Sequence, residues 1–293
     1  MTTTRRTFIT TGTTLVGSSF FIPQILLAKP NPGMRLGLVT YLWGKDWDLP
    51  TLIANCEKTK LGGVELRVDH AHGVGPHLSA KERLEVKKRF EDSSVLCLGP
   101  GTNQDYHHIN PQKLKESIEG TKEFIKLSHD IGGTGVKVKP NALPKEVAPE
   151  KTIEQIGKSL HEVGKFAADY GQEIRVEVHG KQTQELPTMK AIMDVADHPN
   201  VKVCWNCNMP DTNGKGLAYN FNLVKDRFGD TVHVREFNVG EYPYQELFNL
   251  LVGMDYKGWI LLECRTAPED RLAAIHEQRK LMKKMVKRAK KPK

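Results

Sequence analysis

The chain is poor in cysteine, and the five it has (Cys56, Cys97, Cys204, Cys207, Cys264) form an odd, scattered set. Such a set excludes a disulfide framework as the basis of the fold. Cys204 and Cys207 make a C-x-x-C, but no second pair completes a zinc site. On a strand, residues three apart face opposite ways, so these thiols diverge and read as structural. No strand-like run is followed by a Gly-rich dinucleotide fingerprint, which argues against a doubly wound nucleotide-binding sheet. No basic patch in the body is interleaved with aromatics, so nucleic acid gains no support there. Acids are missing from the C-terminal end. Nine Lys and Arg fall between Arg279 and Lys293 with no acid among them, which outweighs the net charge of +8. The basic balance therefore belongs to residues 279–293, and the body is nearly neutral. This tail reads as a solvated helix end, with a nucleic-acid or anionic-surface contact as the alternative.

What is present suits a soluble globular protein: 293 residues, 39% hydrophobic and 27% charged. The N-terminus stands apart. Thr4-Arg5-Arg6-Thr7-Phe8-Ile9 resembles the core of a twin-arginine (Tat) signal peptide. The apolar stretch behind it is broken by Gly12, Gly17 and Pro23, and it is too short and polar for a membrane span. Residues 1–30 are set aside as a processing segment, with an uncleaved anchor as the alternative. The expectation is an exported, periplasmic protein with no stable membrane span once the signal is removed.

From Met34 onward, apolar strands and amphipathic helices alternate. The strands read as 35–42, 63–67, 95–98, 135–139, 174–180, 201–206, 231–236 and 259–263. Ser79 with Glu82 predicts a capping box, and Asn110-Pro111 predicts a capped helix start. Eight strands and eight helices in alternation make the pattern of a parallel (β/α)8 TIM barrel, a single domain over 31–278. About 260 residues remain after the signal, near the ~250 typical of that fold.

The organising stretch is Ile174-Arg-Val-Glu-Val-His-Gly180. Glu177 and His179 share a strand face, and a carboxylate beside an imidazole there is costly to bury without a task. Later strands end in Asn206, His233 and Glu263. In a barrel, carboxyl ends of strands meet on one face, where active sites lie. Two Glu, one His and one Asn suit a single divalent ion (Mn, Mg, Co or Zn) with room for substrate oxygens. Such an ion polarises a carbonyl, and a neighbouring carboxylate can then take the adjacent C–H proton. Glu177 and Glu263 can flank a substrate from opposite sides, as two-base epimerisation requires. The same parity sends Arg175 inward, so either it lies at the solvated bottom of the barrel or the strand starts later.

With these residues in place, the chain resembles the xylose isomerase-like TIM barrels, the sugar phosphate isomerase/epimerase superfamily, over most of residues 34–275. The resemblance implies metal ligands at Glu177, Asn206, His233 and Glu263, with Glu177 and Glu263 as acid/base catalysts. The Glu-x-His of Glu177 and His179 and the Glu65 ending the second strand are also family-like. The sequence departs at Asn206, where the family has Asp, and Met209 holds the place of a family His. That departure argues against the apurinic-endonuclease branch. Substrate contacts are assigned to Glu65, Lys139, His179, Asn208 and Arg235. Lys137 or Lys139 could instead pair with Glu177. His107-His108 and His70-x-His72 are loop histidines near the rim, and Tyr242 is a wall or a packing residue.

The implied activity is a metal-dependent sugar isomerase or epimerase working through an enediolate. Two alternatives stand beside it: a 3-keto-glycoside lyase using β-elimination, and a non-catalytic periplasmic sugar-binding barrel. The partner is a small carbohydrate, and a homo-oligomer is compatible with the sequence.

Overall fold

A computed structural model describes residues 33–290. The twin-arginine segment and residues 291–293 lie outside the described residues. The eight barrel strands are β1 (Arg35–Val39), β2 (Gly63–Arg67), β3 (Leu96–Asp105), β4 (Gly135–Lys139), β5 (Glu173–Glu177), β6 (Val201–Asn206), β7 (Phe228–Val234) and β8 (Trp259–Leu262). They pair in sequence order, all parallel, and β8 closes on β1. The main helices are α1 (Leu49–Thr59), α2 (Ala80–Glu91), α3 (Pro111–Asp130), α4 (Pro149–Asp169), α5 (Leu186–Ala196), α6 (Leu217–Val224), α7 (Tyr244–Gly253) and α8 (Arg271–Ala289). This is a single-domain (β/α)8 barrel, as the alternation predicts.

Local chemistry sets the helix starts. Ser79 Oγ accepts from the Glu82 amide while Glu82 Oε2 accepts from the Ser79 amide at 2.8 Å, a complete capping box. Asn110 Oδ1 accepts from the Gln112 amide at 2.8 Å ahead of Pro111. The basic run beginning at Arg279 is the second half of α8, and Met282 within it is buried.

β3 is longer than the expected 95–98. It continues through Gly99-Pro100-Gly101 because a bulge lets it: the register shifts between Val64/Cys97 and Glu65/Gly99, and Gly99 takes a φ of +109°. Short elements also appear that periodicity could not signal. Asn141–Ala142 and Gly180–Lys181, just past β4 and β5, pair as a two-stranded parallel sheet.

Most of the core lies between barrel and helices, where Leu52, Ile125, Leu160, Ile192, Leu251 and Ile275 are buried. A second cluster of Val39, Leu98, Trp259 and Leu261 fills the barrel's inside. Trp259, Leu261 and Glu263 are two apart, so the apolar filling at the lower end leads to a carboxylate at the upper end. Arg175 is also inside but not solvated, contrary to the expectation. It is 1% exposed, with Nε on Glu173 Oε1 at 3.0 Å, Nη1 on Leu98 O at 2.6 Å and Nη2 on Thr134 Oγ1 at 2.7 Å. Its charge is met by a carboxylate and its donors by carbonyl and hydroxyl oxygens, which is what lets a guanidinium stay buried.

Candidate active site and metal centre

The carboxyl ends of β5, β7 and β8 bring Glu177, His233 and Glu263 together. One ligand atom from each lies within 4.8 Å of the others, and all three residues are buried. His233 is fully buried. Its Nε2 is 3.1 Å from Glu65 Oε2, so this nitrogen donates and Nδ1 is left facing Glu263 Oε2 at 4.0 Å. His233 Nδ1 is buried without a hydrogen-bond partner. A lone pair turned on a carboxylate is repulsive unless a proton or a cation lies between. The 4.0 Å gap is too long for a hydrogen bond and within the span of two metal–ligand bonds of about 2.1 Å. The carboxylate behind the imidazole, Glu65, completes the support usual for a ligating histidine. The donor set therefore fits a divalent ion.

Glu177 has both oxygens engaged. Lys137 Nζ donates to Oε2 at 2.7 Å and Asn206 Nδ2 donates to Oε1 at 2.8 Å. Lys137 and Glu177 are 1% and 2% exposed, so this is a buried ion pair. The sequence left Lys137 and Lys139 as alternative partners; the structure selects Lys137. Lys137 Nζ also donates to Thr102 O at 3.1 Å. Lys137 thus neutralises one of the three buried carboxylates, Glu65, Glu177 and Glu263. A divalent ion would offset the negative charge left over by Lys137 and His233.

The two acids are tuned apart. Burial alone would raise the pKa of Glu177, but the charges of Lys137 and His233 outweigh it and hold the carboxyl well below the usual range. Glu263 is pushed up, by burial first and then by the charge of Glu177. Glu65 is lowered because His233 and Lys137 overcome its burial. His233 is pushed up against its burial, by Cys204 and Glu65.

The other expected contacts divide. Lys139 is half-buried at the mouth; its Nζ donates to Asn103 Oδ1 at 3.2 Å, and burial followed by the Lys137 charge lowers its pKa. His179, also half-buried, has its pKa lowered by burial, and its Nδ1 lacks a partner. Both lie where Glu177 acts on them, at the mouth. Glu65, expected at the substrate, is instead fully buried behind His233. Asn208 turns its amide into the backbone, donating to Val178 O and Asn206 O at 3.0 Å each, and its Oδ1 accepts from Arg235 Nη2 at 2.8 Å. Asn208 and Arg235 therefore brace one another. His72 is structural: its Nδ1 accepts from the Val74 amide at 3.0 Å and Nε2 lies 2.8 Å from Arg67 O. Tyr242 braces rather than walls, donating to Asp211 Oδ2 at 2.6 Å and accepting from Trp205 Nε1 at 3.1 Å.

The sequence reading missed Asp211, which is fully buried in the loop after β6. Only its place in a turn-forming run, MPDTNGKG, marked that segment. It also missed Glu236, whose Oε1 accepts from the amides of Arg265 and Thr266 at 2.9 and 2.7 Å and so fixes the loop after Glu263.

Comparison with known families agrees with this geometry. The xylose isomerase-like TIM barrel family matches residues 53–285. The chain belongs to that family. Among solved structures, it is similar to an L-ribulose 3-epimerase (15% identity, TM-score 0.75, covering 87% of this chain and 95% of the other). It is similar to the 3-keto-D-glucoside 4-epimerase of E. coli (14%, TM-score 0.73, 86% and 99%). A third similar structure is the IolI protein with bound zinc (15%, TM-score 0.73, 87% and 99%). At these identities the likeness establishes the fold. No curated protein matches by sequence.

Proposed function

We propose that this family member is a metal-dependent sugar isomerase or epimerase that moves a proton on the carbon beside a carbonyl. The observation that carries the reading is the orphaned His233 Nδ1 facing Glu263, in a cluster with Glu177 and with Glu65 behind the ring. Glu177, His233 and Glu263 would hold the ion, with Asn206 as the fourth candidate beside Glu177. A divalent ion at this place supplies polarisation of the substrate carbonyl.

The residues handle the proton. Two acids whose environments push their pKa values apart divide into base and acid. Glu177, kept ionised by Lys137, is the base; Glu263, raised by burial and by Glu177, holds the proton to be returned. Glu65 orients the imidazole and takes no part in substrate contact. Lys139 and His179, both half-buried with spare hydrogen-bonding capacity, are the substrate-binding pair. Zinc in the similar IolI structure supports the metal assignment, and the neighbouring epimerases support a carbohydrate substrate.

The test is solvent-isotope exchange on a panel of ketoses and 3-keto-glycosides. The expected result is deuterium wash-in at a sugar carbon, lost in Glu263→Gln and in metal-stripped protein. Binding without exchange sinks the enzymatic reading. The likeness to a 3-keto-D-glucoside 4-epimerase also favours keeping β-elimination as the second reading, since loss of a group beside an enolate uses the same residues. Release of a glycosidic alcohol selects it. We further propose twin-arginine export, on the Arg5-Arg6 motif; cytoplasmic retention of the wild type on cell fractionation excludes it.

A further inference from the structure

We propose that Asp105, His107 and His108 form a second divalent-metal site on the rim of the barrel mouth, sharing no ligand with the buried centre. Asp105 is the last residue of β3 and registers with Lys139 at the end of β4. One ligand atom from each of the three residues lies within 4.8 Å of the others. Each carboxylate oxygen meets a different ring: Oδ1 is 2.6 Å from His108 Nε2, and Oδ2 is 3.7 Å from His107 Nδ1. Neighbouring ligands held about 2.1 Å from a common ion lie roughly 3.0 Å apart in cis octahedral and roughly 3.4 Å apart in tetrahedral geometry. The two distances bracket that range, so small side-chain rotations close the site.

Two further observations point to a ligand. His107 Nδ1 is buried without a hydrogen-bond partner, although its ring stands beside a carboxylate. The frame is also held from behind. Asn141 Nδ2 donates to Asp105 Oδ2 at 2.6 Å, and Gln155 Nε2 donates to the carbonyls of Tyr106 and His108 at 2.8 and 3.0 Å. Supporting bonds of this kind orient ligands before an ion arrives. Two imidazoles and one carboxylate make a facial triad, a donor set for borderline ions such as Zn²⁺, Fe²⁺ or Co²⁺ rather than Mg²⁺ or Ca²⁺. The side chains of Asp105, His107 and His108 are 13%, 20% and 27% exposed, so the cluster has an edge that water or an oxygen ligand can reach.

The experiment is equilibrium dialysis of the untagged, chelator-stripped full chain against Zn²⁺, with elemental analysis. Wild type is expected to bind two ions per chain, the His107→Gln/His108→Gln variant one, and His233→Ala one. If the double variant loses its circular-dichroism spectrum, single His107→Gln takes its place, expected to weaken one site by more than about tenfold. Undiminished zinc binding by the folded histidine variants overturns the rim site. A loss there with no change in His233→Ala leaves the rim site standing and removes the buried centre instead.

Discussion

Lys137→Met asks whether Glu177 is a ligand or only a lysine's partner. The substitution keeps the side-chain stem and deletes the ammonium 2.7 Å from Glu177 Oε2. At 2% exposure, Glu177 then keeps only the Asn206 amide at 2.8 Å. Breaking a buried pair from one side costs about 3–5 kcal/mol, because the surviving charge is uncompensated. For a domain of this size each kcal/mol moves Tm by about 2–4 °C, so metal-free protein should melt on the order of 10 °C lower. Metal should reverse most of this. A divalent ion replaces the missing positive charge, and binding at 1,000 times Kd adds about 4 kcal/mol. The rise in Tm between chelator and saturating Mn²⁺ should therefore be several degrees larger in Lys137→Met than in wild type. Adding Glu177→Gln removes the buried charge itself, so the double variant should regain stability without metal and lose the larger metal response. Thermal melts followed by circular dichroism measure all six states, three proteins each with and without metal. An equal deficit for Lys137→Met with and without metal refutes the reasoning and leaves Glu177 as an ion-pair residue.

Asp211 makes stability pH-dependent. Burial raises its pKa from the unfolded 3.8 to about 7, and its Oδ1 is buried without a partner, the place for the retained proton. A folded pKa above the unfolded one gives stability that is full below 3.8 and lost as pH rises through about 7. Asp211→Asn does not titrate, so wild type should fall relative to it by about 1.4 kcal/mol per pH unit across that window; urea melts showing a flat difference would falsify this. Gly101→Ala tests the support of His233. An added Cβ collides with Glu65 Oε1, so Glu65 should tilt away from the imidazole and metal affinity should fall by about 10–100-fold. Unchanged affinity by calorimetry removes Glu65 from the centre.

The barrel was legible because its signals are periodic. Apolar strands and amphipathic helices alternate eight times, and a polar residue at the carboxyl end recurs on β2, β4, β5, β6, β7 and β8. Glu177, His233 and Glu263 could be grouped from sequence because parallel strands place their ends together whatever lies between them. What stayed hidden depends on depth rather than period. Glu65 and Lys139 both end a strand, yet Glu65 is fully buried behind an imidazole and Lys139 is half-exposed at the mouth. Nothing in either local pattern separates them, because the bulge beside Glu65 is made by Gly99 on the next strand. Arg175 was misplaced for the same reason: its partners Glu173, Leu98 O and Thr134 come from three segments.

The amide at position 206 and the ammonium at 137 explain each other. In sequence, Asn206 looks like a weakened ligand set, one anion short. In the structure its Nδ2 donates to the Glu177 oxygen that Lys137 leaves open. An Asp there could only accept, and it would set a fourth buried carboxylate against Glu177 with no donor for Oε1. Asn206 and Lys137 together lower the site's negative charge while fixing both oxygens of one acid. Glu263, whose nearest basic neighbour among the described residues is His233 Nδ1 at 4.0 Å, has no such ammonium partner and under the proposed function would carry the proton. The centre is thus asymmetric: one carboxylate is immobilised and ionised, and the other is raised and free. Under the proposed function, such a pair would let the ionised acid take a proton and the raised acid return one, as epimerisation or elimination needs.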